Sequence, residues 1–290
     1  MKRLLLSIPV LAALFSCSDF NELQPEKVTD NTNIPLEDNQ ILCGIPLTKT
    51  SLDASLNVIW NEEDEVMVFS GKNTATYRFS SFPIENDKKT AVFECTSGNA
   101  LKGSLSAIYP ASAYIDGSCN GSTAKISVGG VSSAPIKGGD QTKVLSESTD
   151  VSMLPLVATP AEGTLTFGNL FGGLIFRPYD HTGSGVKISK ILIESNDGRA
   201  LAGTATVNLS KGKIESFEGT KKVLTYTCSS AVDISQKGMG FIAWLPAGTY
   251  TEGITITAVD NLGRMFPLST GAVTINPGTV KRSTYSTQCR

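Results

Sequence analysis

Short runs rich in Val, Ile, Thr, Phe and Tyr, each closed off by Gly, Asn, Asp or Ser, recur along most of this chain and restrict it to very few folds. In the first half they are Leu56 to Trp60, Glu65 to Ser70, Thr76 to Phe82, Thr90 to Thr96, Leu105 to Tyr109 and Lys125 to Val128. Between them stand Ser70-Gly71-Lys72-Asn73, Asn86-Asp87, Ser97-Gly98-Asn99, Asp116-Gly117-Ser118 and Gly129-Gly130. Strands of about five residues with a turn signal roughly every ten predict an all-β sandwich or barrel. Composition agrees: 27 glycines, 13 prolines and many Ser and Thr leave almost no stretch suited to a helix.

The first folded region begins near Ile41. Residues 129–152 read as a long loop, or as a loop enclosing a short strand at Thr142 to Leu145. Two prolines and a glycine punctuate Pro155 to Gly163, and the domain boundary is placed there, giving sandwiches over 41–157 and 158–290. Thr164 to Tyr179 is the most apolar stretch after the leader. It is expected to be buried on both sides or to lie between packed layers, its glycines letting another backbone or a large ring come close. Val186 to Ser195, the positive-φ turn Asn196-Asp197-Gly198 and the returning run Leu201 to Leu209 read as a hairpin. In that return Leu201, Gly203, Ala205, Val207 and Leu209 face one way. Lys211-Gly212 turns into Ile214 to Phe217. Further strands are expected at Val223 to Cys228, Gly240 to Leu245, Ile254 to Val259, Arg264 to Leu268 and Val273 to Ile275, with a last segment over Thr279 to Ser286.

The amino terminus is of another kind. Met1-Lys2-Arg3 precedes the apolar run Leu4 to Phe15, too short for the roughly 20 residues a membrane span needs and shaped like an export signal. Its end, Leu14-Phe15-Ser16-Cys17, resembles a lipobox, so residues 1–16 are expected to be removed and Cys17 to carry lipid. Two or three acyl chains, at about 0.8 kcal/mol per buried methylene, anchor a protein firmly. Residues 17–40 are polar and acidic without a hydrophobic period and are expected to form a tether, spanning about 25 Å as a flexible coil.

A formal net charge of −2 with mixed signs argues against nucleic acid as a partner. With Cys17 lipidated, Cys43, Cys95, Cys119, Cys228 and Cys289 remain. An odd number without C-x-x-C spacing points to free thiols and at most two disulfides, not to zinc or redox chemistry. The one histidine, His181, sits in a turn, and no nucleophile elbow, H-E-x-x-H or phosphate loop accompanies it, so no catalytic residue, metal ligand or cofactor is assigned. Asn61-Glu62-Glu63-Asp64-Glu65 is an acidic turn whose spacing matches no calcium loop. Trp60, Trp244, Tyr109, Tyr114 and Phe82 could stack on sugar rings, but each lies in or beside an apolar strand, which favours a core role.

Val58-Ile59-Trp60-Asn61-Glu62-Glu63-Asp64-Glu65-Val66-Met67-Val68-Phe69 resembles the opening "strand, Trp, acidic turn, strand" of the fimbrillin-like lipoproteins of Bacteroides-type bacteria. Ala107-Ile108-Tyr109-Pro110 resembles a strand ending they share. Leu165 to Phe176, Ile191 to Ser195 with Leu201-Ala202-Gly203, and Leu245-Pro246-Ala247-Gly248-Thr249-Tyr250 fit in the same order. The resemblance implies two transthyretin-like β-sandwiches in tandem and a non-enzymatic outer-membrane surface role, as a fimbrial subunit, anchor or tip component serving adhesion. Its implied partners are other fimbrial subunits joined by strand exchange, the outer membrane through the lipid, and a host protein or glycan. In that family a protease removes the lipidated terminus and first strand. No arginine lies between Arg3 and Arg78, which leaves Lys49 as the expected cut, Ile41 to Leu56 as the removable strand, and Thr279 to Ser286, with Val280 and Tyr285, as the donor. The alternative expectation is a monomeric glycan-binding surface lipoprotein.

Overall fold

A computed structural model describes residues 34–45, 51–52, 58–85, 87–128, 154–218, 223–234, 238, 240–281 and 286–289. Cys17, Lys49, Tyr285 and the Thr142 to Leu145 run lie outside the described residues. In chain order the strands are β1 (Gln40–Gly44), β2 (Ser51–Leu52), β3 (Val58–Ile59), β4 (Glu65–Ser70), β5 (Asn73–Ser81), β6 (Thr90–Ser97), β7 (Leu105–Tyr109), β8 (Thr123–Val128), β9 (Leu156–Ala161), β10 (Leu165–Asn169) and β11 (Phe171–Tyr179). There follow β12 (Lys187–Ser195), β13 (Gly203–Asn208), β14 (Lys213–Glu218), β15 (Val223–Asp233), β16 (Phe241–Pro246), β17 (Gly248–Tyr250), β18 (Ile254–Asp260), β19 (Met265–Ser269), β20 (Val273–Ile275), β21 (Val280–Lys281) and β22 (Ser286–Gln288). A single 3-10 turn at Ala111–Ala113 is the only helical element among the described residues, so the chain is all-β.

Seven strands form one closed barrel in the order β1-β10-β9-β7-β4-β5-β6, with β1 returning to β6. The expected first sandwich over 41–157 is therefore a sheet that closes on itself, and it recruits β9 and β10 from beyond residue 154. The expected boundary between 157 and 158 falls inside β9. In exchange, β8 leaves the barrel and pairs antiparallel with β13 along its whole length, from Gly203 opposite Val128 to Asn208 opposite Thr123. The rest of the second half divides between a sheet β15-β12-β18-β19 and another in which β16 and the final strands flank β11.

Period-two alternation explains why several barrel strands read as continuous apolar runs. In β4, Val66 and Val68 point into the barrel while Phe69 packs outward. In β7, Leu105, Ala107 and Tyr109 point inward and Ile108 outward; in β9, Leu156 and Ala158 point inward and Val157 outward. Phe69, Ile108 and Val157 join one large core with Ile126, Leu174, Ile193, Tyr226 and Tyr250. These strands are covered on both faces, one by the barrel interior and one by the larger core, where Tyr114 stands edge-on to Phe69 and residues of both halves meet.

The apolar run 164–179 is buried along most of its length, as read, and it breaks at Leu170 into β10, a barrel strand, and β11, which pairs with β16. One sequence expectation is corrected by the pairing. The expected hairpin across Asn196-Asp197-Gly198 does not form, although Gly198 has φ of 75° and the turn is real. β12 pairs with β15 and β18, whereas β13 pairs with β14 and β8. From Ala205 to Leu209 the facing is as read, with Ala205, Val207 and Leu209 buried, whereas Ala202, read onto the opposite face, is buried in the same core as Leu201.

One glycine of the apolar run, Gly172, has the close approach expected of it. A Cβ on Gly172 would lie 2.2 Å from the Asn276 carbonyl oxygen and 2.8 Å from Cγ2 of Ile275. There the turn after β20 sits on β11, with the Gly278 amide donating to the Phe171 carbonyl at 2.8 Å. Gly172→Ala should cost about 1–3 kcal/mol through forced backbone displacement, read as a lower urea midpoint with an unchanged slope.

Candidate functional site

A strand sequence of six residues, Gln40-Ile41-Leu42-Cys43-Gly44-Ile45, gives β1 an alternation with Ile41, Cys43 and Ile45 on one side. That side fills the barrel: the three are 6%, 0% and 1% exposed and belong to the barrel core. β1 runs antiparallel to β6, from Gln40 opposite Glu94 to Gly44 opposite Thr90. Along its other edge it runs parallel to β10, with Cys43 opposite Leu165 and Gly44 opposite Thr166. It is the element that joins the two ends of an otherwise open six-stranded sheet. Without it, β6 and β10 would each present unpaired backbone N–H and C=O groups beside an uncovered apolar interior, the arrangement that invites strand addition.

The interior beneath β1 is built around Trp60. Its ring stands edge-on to Phe93 at 4.9 Å, Tyr109 at 5.4 Å and Phe167 at 5.6 Å between centroids. Its indole Nε1–H donates to the Cys43 carbonyl at 3.3 Å, so the ring holds β1 directly. The turn that follows sets the ring in place. Asp64 Oδ2 accepts from the Asn61 amide at 2.8 Å, the Asp64 amide donates to the Asn61 carbonyl at 3.1 Å, and Tyr109 Oη–H donates to Asp64 Oδ1 at 2.8 Å. The acidic turn thus spends one carboxylate on its own closure, while Glu63 pairs with Arg78 on the surface at 2.6 Å. Among the described residues no three His, Cys, Asp or Glu side chains gather as metal ligands.

The removable strand expected over Ile41 to Leu56 is shorter in the barrel than the sequence pattern suggests. Ser51–Leu52 is β2 and pairs with β3 instead. Of the residues expected to donate, Val280 belongs to β21 and pairs with Gly173 of β11 in the same chain, while the Thr279 carbonyl accepts from the Gly173 amide at 2.8 Å. Beyond them β22 runs along β11 from Arg177 to Tyr179, and Cys289 is fully buried. The hold of Trp60 on Cys43, the Asp64–Tyr109 bond and the parallel neighbour β10 have no counterpart in the sequence expectations. The Trp-plus-acidic-turn pattern is the available signal, since an acid three residues after the start of a turn can accept from the turn's first amide, as Asp64 does from Asn61.

Side chains with other chemistry are accounted for structurally. Trp60, Tyr109, Tyr114 and Trp244 are all buried, as their apolar flanks suggest. His181 is exposed in its turn and touches Gln288. Cys43, Cys95, Cys119, Cys228 and Cys289 are free thiols, and burial pushes those of Cys228 and Cys289 up to about 11. Asp180 lies well below the usual carboxylate range because Thr182, Val186 and Ser184 donate to it, the Thr182 hydroxyl at 2.6 Å foremost. For Asp260, burial acts upward but is outweighed by donors from Arg264 and Leu262, with Arg264 Nε at 2.6 Å.

No family profile and no curated protein matches the chain. It is similar to solved structures at low identity. A Bacteroides uniformis protein provisionally assigned to cell adhesion aligns over 88% of this chain and 94% of its own, at 14% identity and a TM-score of 0.48. A Bacteroides ovatus protein with the same provisional assignment aligns over 86% and 91%, at 14% identity and 0.45. A fimbrial assembly protein of Parabacteroides distasonis aligns over 83% and 88%, at 11% identity and 0.38.

Asp64 offers a pH handle on the site. Burial holds its carboxyl above the ordinary carboxylate range, against the opposing bonds from Asn61 and Tyr109. A raised folded value means that its stability contribution is present below the unfolded value and is lost as pH rises through the folded one. As pH rises from below the ordinary aspartate value of about 3.9 toward neutrality, stability should shift in favour of Asp64→Asn over the parent. Urea midpoints of the two proteins across that range measure it.

Proposed function

We propose that this chain is a non-enzymatic surface lipoprotein of the outer membrane that serves adhesion as a component of a fimbria, taking a strand from a neighbouring subunit in place of β1. The carrying observation is that one amino-terminal strand, hydrogen-bonded along both edges, closes the barrel. In this reading Cys17 carries the lipid that delivers the chain to the membrane, and a cut at Lys49, in the sequence between β1 and β2, frees β1 together with the anchor. Loss of β1 uncovers Ile41, Leu42, Cys43 and Ile45 contacts worth roughly 1.5–3 kcal/mol for each large side chain, together with two strand edges. An incoming strand restores both at once, which is why such a joint needs no covalent bond or catalyst. Adhesion and fimbrial assembly are also the roles named for the similar solved structures. The two halves are read as transthyretin-like units that have traded strands, β8 going one way and β9–β10 the other.

Lys49→Gln tests this reading. In cells producing the variant, surface material should keep its lipidated amino terminus, and the detergent-resistant ladders formed by the parent after mild heating should disappear. Ladders of undiminished intensity from Lys49→Gln, with a parental amino terminus still beginning at Cys17, would overturn it.

A further inference from the structure

What the barrel demands of its closing strand can be read from how β1 sits. Ile41 and Ile45 lie at the ends of the buried frame and Cys43 at its centre, fully enclosed. Across the sheet Cys43 is flanked by Ala91 on β6 and Leu165 on β10. Its carbonyl accepts from Trp60, a member of the same core, whose ring is wedged edge-on among Phe93, Tyr109 and Phe167. That ring cannot yield without moving three other aromatics, so the central position tolerates a small side chain only.

We propose that the groove left by β1 accepts a partner strand with a branched aliphatic residue, a small residue two places on and a second branched aliphatic two places further. The strand runs parallel to β10 and comes from a chain other than residues 279–289 of a second copy. This rests on the strand-exchange reading and specifies its partner. Residues 279–289 read Thr-Val-Lys-Arg-Ser-Thr-Tyr-Ser-Thr-Gln-Cys, and neither alternating frame supplies the aliphatic–small–aliphatic order. One frame carries Lys281 and the other Arg282, each unfavourable in an apolar interior. The same stretch is already in use: Val280 and Lys281 pair with β11, Ser286 to Gln288 pair further along it, and Cys289 is buried. The chain acts at this groove as an acceptor of foreign strands.

The test uses the full chain with residues 46–50 replaced by a specific protease site, folded and then cut. The cut chain is unfolded and refolded with one labelled peptide in excess. Four peptides are compared: residues 37–45 as they stand, the same with Cys43→Ala, the same with Cys43→Phe, and residues 279–289. The first two should be retained equally, and the Cys43→Phe peptide and the 279–289 peptide should be retained at least about tenfold less. Retention of either of those two within about threefold of the first peptide overturns the proposed pattern while leaving strand exchange standing. Retention of none, the native 37–45 peptide included, removes the strand-exchange reading itself and the pattern with it. As a check without exchange, uncut Cys43→Ala should unfold at nearly the parental urea midpoint and uncut Cys43→Phe well below it; equal midpoints contradict the crowded centre.

Discussion

Everything in the first half of this protein hangs on the double hydrogen bonding of one strand. β1 is antiparallel to β6 and parallel to β10, and only this pairing turns six strands into a closed sheet. Closure removes both free edges, and a closed sheet has no template for unwanted pairing. The parallel contact is informative because parallel neighbours cannot be joined by a tight turn. β1 and β10 are far apart in sequence, so the barrel completes itself only when the whole N-terminal half and the strands after residue 154 are in place. Trp60 adds a side-chain hold on the same strand, and Asp64 and Tyr109 keep Trp60 where it can reach.

The second organising feature is the exchange of strands between halves. β8 completes a sheet with β13 and β14, while β9 and β10 complete the barrel. Outward residues of β4, β7 and β9 then enter the core of the second half, so strain or loss in one half is felt by the other. Removing β1 acts on the opposite wall of the barrel from that shared core. Into the barrel interior β1 sends Ile41 and Cys43, with Ile45 just past its end, and none of them belongs to the larger core.

Much of this is legible in the sequence, and the failures share one cause. Glu65 to Ser70, Leu105 to Tyr109 and Val273 to Ile275 appear as strands with the boundaries read from turn residues and apolar runs, because those signals are local. The facing of Ala205 and Val207 is equally clear from alternation. What local pattern cannot supply is partnership. Asn196-Asp197-Gly198 has the chemistry of a hairpin turn, yet β12 and β13 go to different sheets because each buries its apolar face better elsewhere. The run 164–179 looks like one buried segment because β10 and β11 are both rich in apolar residues, and only the break at Leu170 separates them. At the site, the Trp and acidic turn stand out in sequence. The carbonyl that Trp60 reaches lies 17 residues earlier in the chain, beyond any local rule.

β1 is an integral wall of the barrel and not a loosely attached arm. Mass-resolved alkylation of the five free thiols in the intact folded protein tests it most directly. Cys95 is partly exposed and should react promptly, whereas Cys43, fully enclosed in the barrel core, should react only at the rate of global unfolding. Modification of Cys43 at the pace of Cys95 in the folded chain would contradict the account.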